Sequence, residues 1–376
     1  MATAAPPRAL VLMLDGFGAD YLEASVMPNL RSMIAAGFHT TVDACMPTVT
    51  NVNNASICTG TWPAEHGITA NSYLDLETRE EHYMDRAELL LTPTLFERAA
   101  RVGRRSALLT AKVKTIRMLA RGADLTLAAE APDADWVARL GPPPGIYSGE
   151  INLWLLDAAI TLLRTRADIG IVYCHTTDYP MHMSPPEGEL SQVHLSELDD
   201  RLGVILDACP DLSVYVTADH GMNAKRRCYD LARALAAAGR QIFFAMSAER
   251  DPYVRHHRTF GGTAYVWLEK PGDSEGVEIA LRELPGVEDV LSRHEAAQYF
   301  RLHPDRIGDL VVLGDRDTVF GPLDRPVEDL PGGFRTHGSC HELRVPLVVY
   351  GVPLVGPERI AHTHNVHLTR SLSLTA

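Results

Sequence analysis

The sequence contains no run of about eighteen apolar residues, so no segment is long enough to span a bilayer as a helix. Near its start, a single Arg8 precedes the apolar stretch Ala9 to Leu14, which Asp15 interrupts too early for the apolar segment of a secretory leader. These two absences lead to the expectation of a soluble, cytoplasmic protein. The six cysteines (Cys45, Cys58, Cys174, Cys209, Cys228, Cys340) lie far apart, with no C-x-x-C pair and no zinc-finger spacing. That pattern excludes a vicinal redox pair and predicts reduced, mostly buried thiols. Positive charge is in deficit: 35 Lys and Arg face 48 Asp and Glu, for a formal net charge of −13. A nucleic-acid backbone or an anionic membrane surface rewards a basic face, so neither is expected as the main partner. A small anion is still admissible, because two lysines or a bound divalent ion can hold one inside an acidic protein. No internal repeat or low-complexity tract is present.

What is present is an ordinary globular composition, 46% hydrophobic and 22% charged over 376 residues. That length suits two to three domains, or one α/β core carrying a large insertion. Ala9 to Leu14 reads as a buried parallel strand that delivers Asp15 to its C-terminal edge. A helix is expected from Pro28 to Ala36, with proline in its first turn and Gly37 at its end, followed by a strand from Phe38 to Ala44. Ser106 to Thr110, Ile169 to Cys174, Leu212 to Ala218 and Val345 to Tyr350 are further strand-like runs. Helical stretches at Thr94 to Arg101, Asn152 to Arg164, Leu190 to Ala208 and Asn365 to Leu372 alternate with them. This alternation predicts an α/β fold, a mostly parallel sheet sandwiched by helices. From about Asn223 to Gly333 the rhythm breaks: strand candidates at Thr263 to Leu268 and Asp309 to Leu313 surround a helical run from Gly276 to Leu284, with Gly and Pro clusters at the margin. The expected organisation is a core of residues 1–222 and 334–376 with a smaller α+β cap, residues 223–333, inserted into it.

Acidic and histidine residues recur where strands should end: Asp15, Asp178 with His182, Asp219 with His220, and His337. Carboxylate oxygen and imidazole nitrogen together suit zinc, with manganese or iron as substitutes. Asp178 and His182 share a helix face if one turn spans them, and Pro180 is tolerated there only in a first turn. Asp219 and His220 would point to opposite faces of a continuing strand, so the chain must turn, and Gly221 gives it freedom to do so. Singly, such residues are more often helix caps or satisfied polar groups. That ordinary reading is kept for His256, His257, His362, His364 and His367.

A Pro-fixed polar loop, Met46-Pro-Thr-Val-Thr-Asn-Val-Asn-Asn, leads from the second strand into a short helix. Thr50 sits where helix amides and the macrodipole favour a phosphoryl anion. Its hydroxyl is a poor nucleophile unaided, but coordination to a divalent ion would activate it.

The order of these segments, Asp15-Gly16, P-T-V-T-N-V-N-N, His66-Gly67-Ile68 with Asn71, T-T-D-Y-x-x-H, A-D-H-G-M-N-A-K and His337-Gly338, resembles the phosphodiesterase and nucleotide pyrophosphatase branch of the alkaline phosphatase superfamily. Thr110-Ala-Lys112-Val-Lys114, D-P-Y-V-R-H-H at Asp251 to His257 and R-I-G-D-L-V-V-L-G at Arg306 to Gly314 bring it closer to the phosphonoacetate hydrolases, over nearly the whole chain. The resemblance implies two divalent ions, Zn²⁺ with Mn²⁺ or Fe²⁺ as alternatives. Asp178, His182 and His337 would hold one ion, and Asp15, Thr50, Asp219 and His220 the other. It further implies Asn71 on a phosphoryl oxygen and the Lys112/Lys114 pair on a substrate carboxylate. In an extended segment those two lysines would face the same way. The implied reaction is C–P cleavage of phosphonoacetate to acetate and phosphate through a phosphothreonine at Thr50. The implied partner is a small anionic phosphonate, with no nucleic acid, no membrane and at most a second copy of the chain as a homodimer. Met181 and Met183, flanking His182, predict a partly apolar pocket wall. The rival activity is a phosphodiesterase or nucleotide pyrophosphatase with the same ions and an aromatic slot for a base. A metal-binding protein without turnover is the rival from another class, but such proteins generally lack a ligand or the nucleophile, and here none is missing.

Overall fold

The computed structural model describes residues 8–251, 253–255, 257–352, 362–372 and 374, so His256 lies outside the described residues. Ala9–Met13, Ser106–Thr110, Ile171–His175 and Ser213–Thr217 are buried at every position, as unbroken apolar runs require when both sheet faces are covered. They belong to one seven-stranded sheet in the order Phe38–Asp43, Arg344–Tyr350, Ser213–Thr217, Ala9–Met13, Ile171–His175, Ser106–Thr110, Leu125–Ala128. The pairs from Ser213–Thr217 to Leu125–Ala128 are parallel, whereas Arg344–Tyr350 is antiparallel to both of its neighbours. Helices including Pro28–Ala36, Leu95–Arg101, Glu150–Thr165 and Glu189–Ala208 complete the expected α/β architecture.

Register positions the site. Met13 lies opposite His175 on one side and Thr217 on the other, and His175 lies opposite Thr110. Four strands therefore end level and release the chain at Asp15, Thr176, Ala218 and Ala111 along one edge, where open α/β sheets place their sites. Most strand ends differ from the sequence reading by a residue or two, one of which matters: Ile171–His175 ends on a histidine rather than on Cys174. The expected helix from Asn365 to Leu372 is a 3₁₀ segment, Asn365–Ser371, a form common in short connectors.

Between residues 242 and 314 the chain forms a four-stranded antiparallel sheet ordered Ile242–Ser247, Thr263–Leu268, Leu310–Gly314, Val287–Ser292. Its faces divide by the period of two. Val266 and Val312 join Leu231, Leu235, Val277 and Leu281 in a small second core, while Tyr265, Trp267, Val311 and Leu313 pack into the main one. Asn223–Ala224 pairs antiparallel with Arg335–Thr336, so the outgoing and returning chains run side by side. The six cysteines are unpaired, four of them buried. Among the described residues no helix is long and apolar enough to cross a membrane.

Candidate metal centre and active site

Thr50 is the first residue of helix Thr50–Thr59, whose ten residues are all buried. Its N-cap is Val49, whose side chain cannot accept from the leading amides, and the Asn51 amide donates instead to Asn71 Oδ1. The polar residues of this helix tie it to its surroundings. Asn53 accepts from the Cys45 amide at 2.7 Å and donates to the Cys45 carbonyl at 2.9 Å, clamping the preceding loop. Buried His66 bonds Ser56 Oγ through Nε2 at 2.9 Å and accepts from the Ile68 amide through Nδ1 at 3.1 Å, so it serves the scaffold. Thr50 Oγ1 is 3.5 Å from His220 Nε2.

Asp15 leaves the sheet through Gly16, where φ is +73° and a Cβ would stand 3.0 Å from Asp178 Cβ, so glycine is required. Asp178 stands at the N-cap position of helix Tyr179–Met183 without a side-chain capping bond, Pro180 lies in the first turn, and His182 follows one turn on, with Nε2 2.7 Å from Asp178 Oδ2. Asp219 Oδ1 accepts from the amides of Gly16 and His220, each at 3.0 Å. The strand does end before Asp219, but Gly221 turns without a left-handed φ. His337 departs from expectation. It follows the short ribbon strand Arg335–Thr336 rather than a strand of the main sheet, because Arg344–Tyr350 runs antiparallel and brings its leading end to this edge.

Three histidines share one wiring. Nδ1 of His182, His220 and His337 lies 2.7, 2.9 and 2.7 Å from the carbonyls of Arg335, Gly221 and Thr48. A carbonyl only accepts, so Nδ1 carries a proton in each, and Nε2 is the nitrogen turned towards the carboxylates of the site, where a cation would lie between them. Asp15 Oδ1, Asp219 Oδ2 and His337 Nε2 are buried and have no hydrogen-bond partner among the described residues. Ligand atoms of Asp178, His220 and His337 lie within 4.8 Å of one another, as do those of Asp15, His175 and Asp219. His220 bridges the groups, its ring stacked on His337 at 3.6 Å and its Nε2 3.3 Å from Asp219 Oδ2 and 3.5 Å from Asp15 Oδ1. Unpaired carboxylates and inward lone pairs at such density fit divalent cations of the zinc, manganese and iron kind.

The electrostatics agree. Burial, then the neighbouring carboxylates, pushes Asp15 up to about 7, and burial with Asp178 beside it does the same to Asp219. Burial would raise Asp178 too, but His182 and Lys112 hold it well below its ordinary value. Burial lowers His220 and lowers His337 still further.

Lys112 and Lys114 are both buried beside this centre, although not on an extended segment. Lys112 is the extended N-cap of helix Val113–Leu119 and Lys114 is already helical, because the strand ends at Thr110. Lys114 Nζ is ion-paired with Asp251. Burial opposes the charge on Lys112, but Asp178, Asp15, Asp251 and Glu249 together raise its pKa. Asn71 is fastened next to Thr50: its Oδ1 accepts from the Asn51 amide at 3.2 Å and its Nδ2 donates to Glu249 Oε2 at 3.0 Å.

Four residues of this neighbourhood escaped the sequence reading. Buried Glu249 has Oε1 3.6 Å from His337 Nε2, and nothing in its local sequence marks it. His257, read as an ordinary histidine, sets its ring 3.7 Å from that of His182. His175 and Asn54 underlie Asp15, and the only available signal was a histidine ending an apolar run. Met181 is buried against Gly16 and Met183 is exposed, so neither walls the cavity of about 260 Å³ beside the lysines.

Comparison with known proteins gives consistent matches. The sequence profile of the family described as type I phosphodiesterase / nucleotide pyrophosphatase matches residues 9–339. Phosphonoacetate hydrolase from Sinorhizobium meliloti 1021, solved with phosphonoformate, is similar with a TM-score of 0.86 and 28% identity, covering 98% of this chain and 96% of that one. Its complex with phosphonoacetate gives the same TM-score of 0.86 at 29% identity over the same 98% and 96%. Murine ectonucleotide pyrophosphatase / phosphodiesterase 5 shares the fold at a TM-score of 0.67 and 19% identity, covering 91% of this chain and 88% of its own. The bis(5'-adenosyl)-triphosphatase of Bos taurus is 26% identical over 231 residues, 59% of this chain and 49% of that protein, so the chain spans about half the length of this relative.

Proposed function

The chain belongs to the type I phosphodiesterase / nucleotide pyrophosphatase family of the alkaline phosphatase superfamily, and from that footing we propose that it is a two-metal hydrolase cleaving the C–P bond of phosphonoacetate to acetate and phosphate. The observation that carries this reading is a buried lysine pair set beside a cluster of inward-facing imidazoles and unpaired carboxylates around Thr50. Asp178, His182 and His337 would hold one ion, and Asp15, Thr50, Asp219 and His220 the second, with zinc favoured and manganese or iron admissible. Such ions supply Lewis acidity, which acidifies the Thr50 hydroxyl and neutralises phosphoryl charge.

Thr50 Oγ1 attacks phosphorus in line with the P–C bond, forming a phosphothreonine as the carbon departs with the bonding pair. Asn71 Nδ2 donates to a phosphoryl oxygen. The departing carbanion delocalises into its carboxylate, where Lys112 and Lys114 stabilise the enediolate until water protonates the carbon to give acetate, the hydroxide so formed being neutralised by the proton that Thr50 released to solvent. Water then hydrolyses the phosphothreonine and phosphate leaves. Lys114 already pairs with Asp251, so a substrate carboxylate must compete with that side chain for it. Residues 223–333 act in this scheme as the cap, contributing Glu249 and Asp251 next to Asn71 and Lys114.

One observation favours the second reading. Tyr147 and Tyr253 line the cavity with Lys112, Lys114 and Arg117, and aromatic walls suit a nucleobase or aryl group. Parallel rate measurements on phosphonoacetate and a p-nitrophenyl phosphodiester decide between them, and preference for the diester overturns the phosphonate assignment. Lys112→Ala is expected to lower kcat/KM on carboxylate-bearing phosphonates by about 10²-fold or more while affecting the diester several-fold less. Equal losses on both substrates would refute the carboxylate role.

A further inference from the structure

We propose that His175 is a positioning residue that holds Asp15 in its ligating orientation from behind, through a hydrogen-bonded chain in the core of the sheet. The inference rests on the reading of Asp15 as a metal ligand. His175 and Asp15 are both fully buried, and His175 Nε2 lies 3.3 Å from Asp15 Oδ2. The other imidazole nitrogen, Nδ1, has Thr110 Oγ1 at 3.3 Å, and Asn54 Nδ2 reaches both ring nitrogens, at 3.2 Å from Nδ1 and 3.3 Å from Nε2. Asn54 is oriented in turn by the Tyr173 hydroxyl, which donates to its Oδ1 at 2.8 Å.

A carboxylate only accepts, so a neutral His175 carries its proton on Nε2, and Nδ1 is the acceptor for Thr110 and Asn54. His182, His220 and His337 differ at Nδ1, whose proton each spends on a backbone carbonyl, so that in the neutral ring only Nε2 is left for a cation. His175 therefore has no lone pair to offer a cation, although its position near Asp15 and Asp219 would admit one. Its bond occupies Asp15 Oδ2 and leaves Oδ1, which has no hydrogen-bond partner among the described residues, as the ligating oxygen. Partners of ligating carboxylates fix their rotamer, and losing one typically weakens the ion about 10–100-fold.

The test is a Zn²⁺ titration of metal-free protein against a chromophoric chelator, with two binding steps expected for the unaltered chain. His175→Leu should weaken one step about 10–100-fold and leave the other within about twofold. His175→Gln, whose amide N–H can replace Nε2–H, should recover most of that affinity. Tyr173→Phe, which removes only the outer hydroxyl, should weaken the same step several-fold. Unchanged titration of His175→Leu overturns the proposal, as does equal weakening of both steps. A loss in His175→Gln as deep as in His175→Leu overturns it in favour of direct ligation. If His175→Leu does not fold, Tyr173→Phe decides, and unaltered zinc affinity there is fatal. Failure of the unaltered chain to bind two zinc ions would instead remove the functional reading on which the inference stands.

Discussion

A threonine hydroxyl has little nucleophilic strength of its own, so Thr50 is reactive only through its place at a buried helix N-terminus among imidazoles and carboxylates. Thr50→Ala should keep bound metal, because the Asp and His ligands survive, and lose at least ~10³-fold in kcat. Metal content and single-turnover rates measured together check this, and retained turnover would displace Thr50 as nucleophile. Asp219 gives a pH signature. Its folded pKa of about 7 stands above the ordinary 3.8, so metal-free folded protein keeps a proton that the unfolded chain has released. The contribution is fully present below about pH 4 and is lost as pH rises towards 7. Buried His220 and His337, held below their ordinary values, act in the opposite direction, so the carboxylate must be isolated by substitution. In chelator, the Tm of Asp219→Asn minus that of the unaltered protein should rise between pH 4 and 7 and then level off. A flat difference would refute the raised pKa.

At the scale of elements, what could be read from sequence was what depends on short spacing. Asp178 and His182 share a face because one turn separates them, and Pro180 marks that turn as a first one. Lys112 and Lys114 were legible as a pair but not in their local form, since no capping residue announces helix Val113–Leu119. Helix Thr50–Thr59 has no apolar stripe to reveal its burial; tertiary hydrogen bonds satisfy its polar side chains instead. Asn53 is the clearest case, bonded to both backbone groups of Cys45 and accepting from Asn365 Nδ2 at 2.9 Å. Asn53→Ala strands these buried groups and should destabilise the protein by about 2–3 kcal/mol in urea unfolding. A change below about 0.5 kcal/mol would show that the loop is held by other means.

Across the whole molecule, the level ends of parallel strands bring distant residues together, and Glu249, just beyond strand Ile242–Ser247 of the second sheet, joins them at His337 and Asn71. Next to the ribbon of Asn223–Ala224 and Arg335–Thr336 lies a fully buried ion pair, Lys225 Nζ to Glu342 Oε1 at 2.8 Å, joined by Asn223 and Ser339. Glu342→Gln leaves an ammonium without its counter-charge and should cost about 3–5 kcal/mol, whereas the double substitution Lys225→Met with Glu342→Leu should recover much of that loss. A double variant as unstable as the single one would mean that packing, rather than charge, dominates at this pair.

By itself the sequence determined the α/β class and which residue types stand where apolar runs end, because hydrophobic periodicity and short spacings act locally along the chain, and the order of its motifs carried the resemblance to the family. Only the tertiary structure decided that Arg344–Tyr350 runs antiparallel, that His337 arrives from the ribbon, and that His175, Glu249 and His257 stand at the site. It also decided which nitrogen of each histidine faces Asp15 and its neighbours. The direction of Arg344–Tyr350 and the hydrogen bonds that orient His337 and His175 depend on partners more than a hundred residues away, from Thr48 to His337 and from Asp15 to His175, and no local pattern records them.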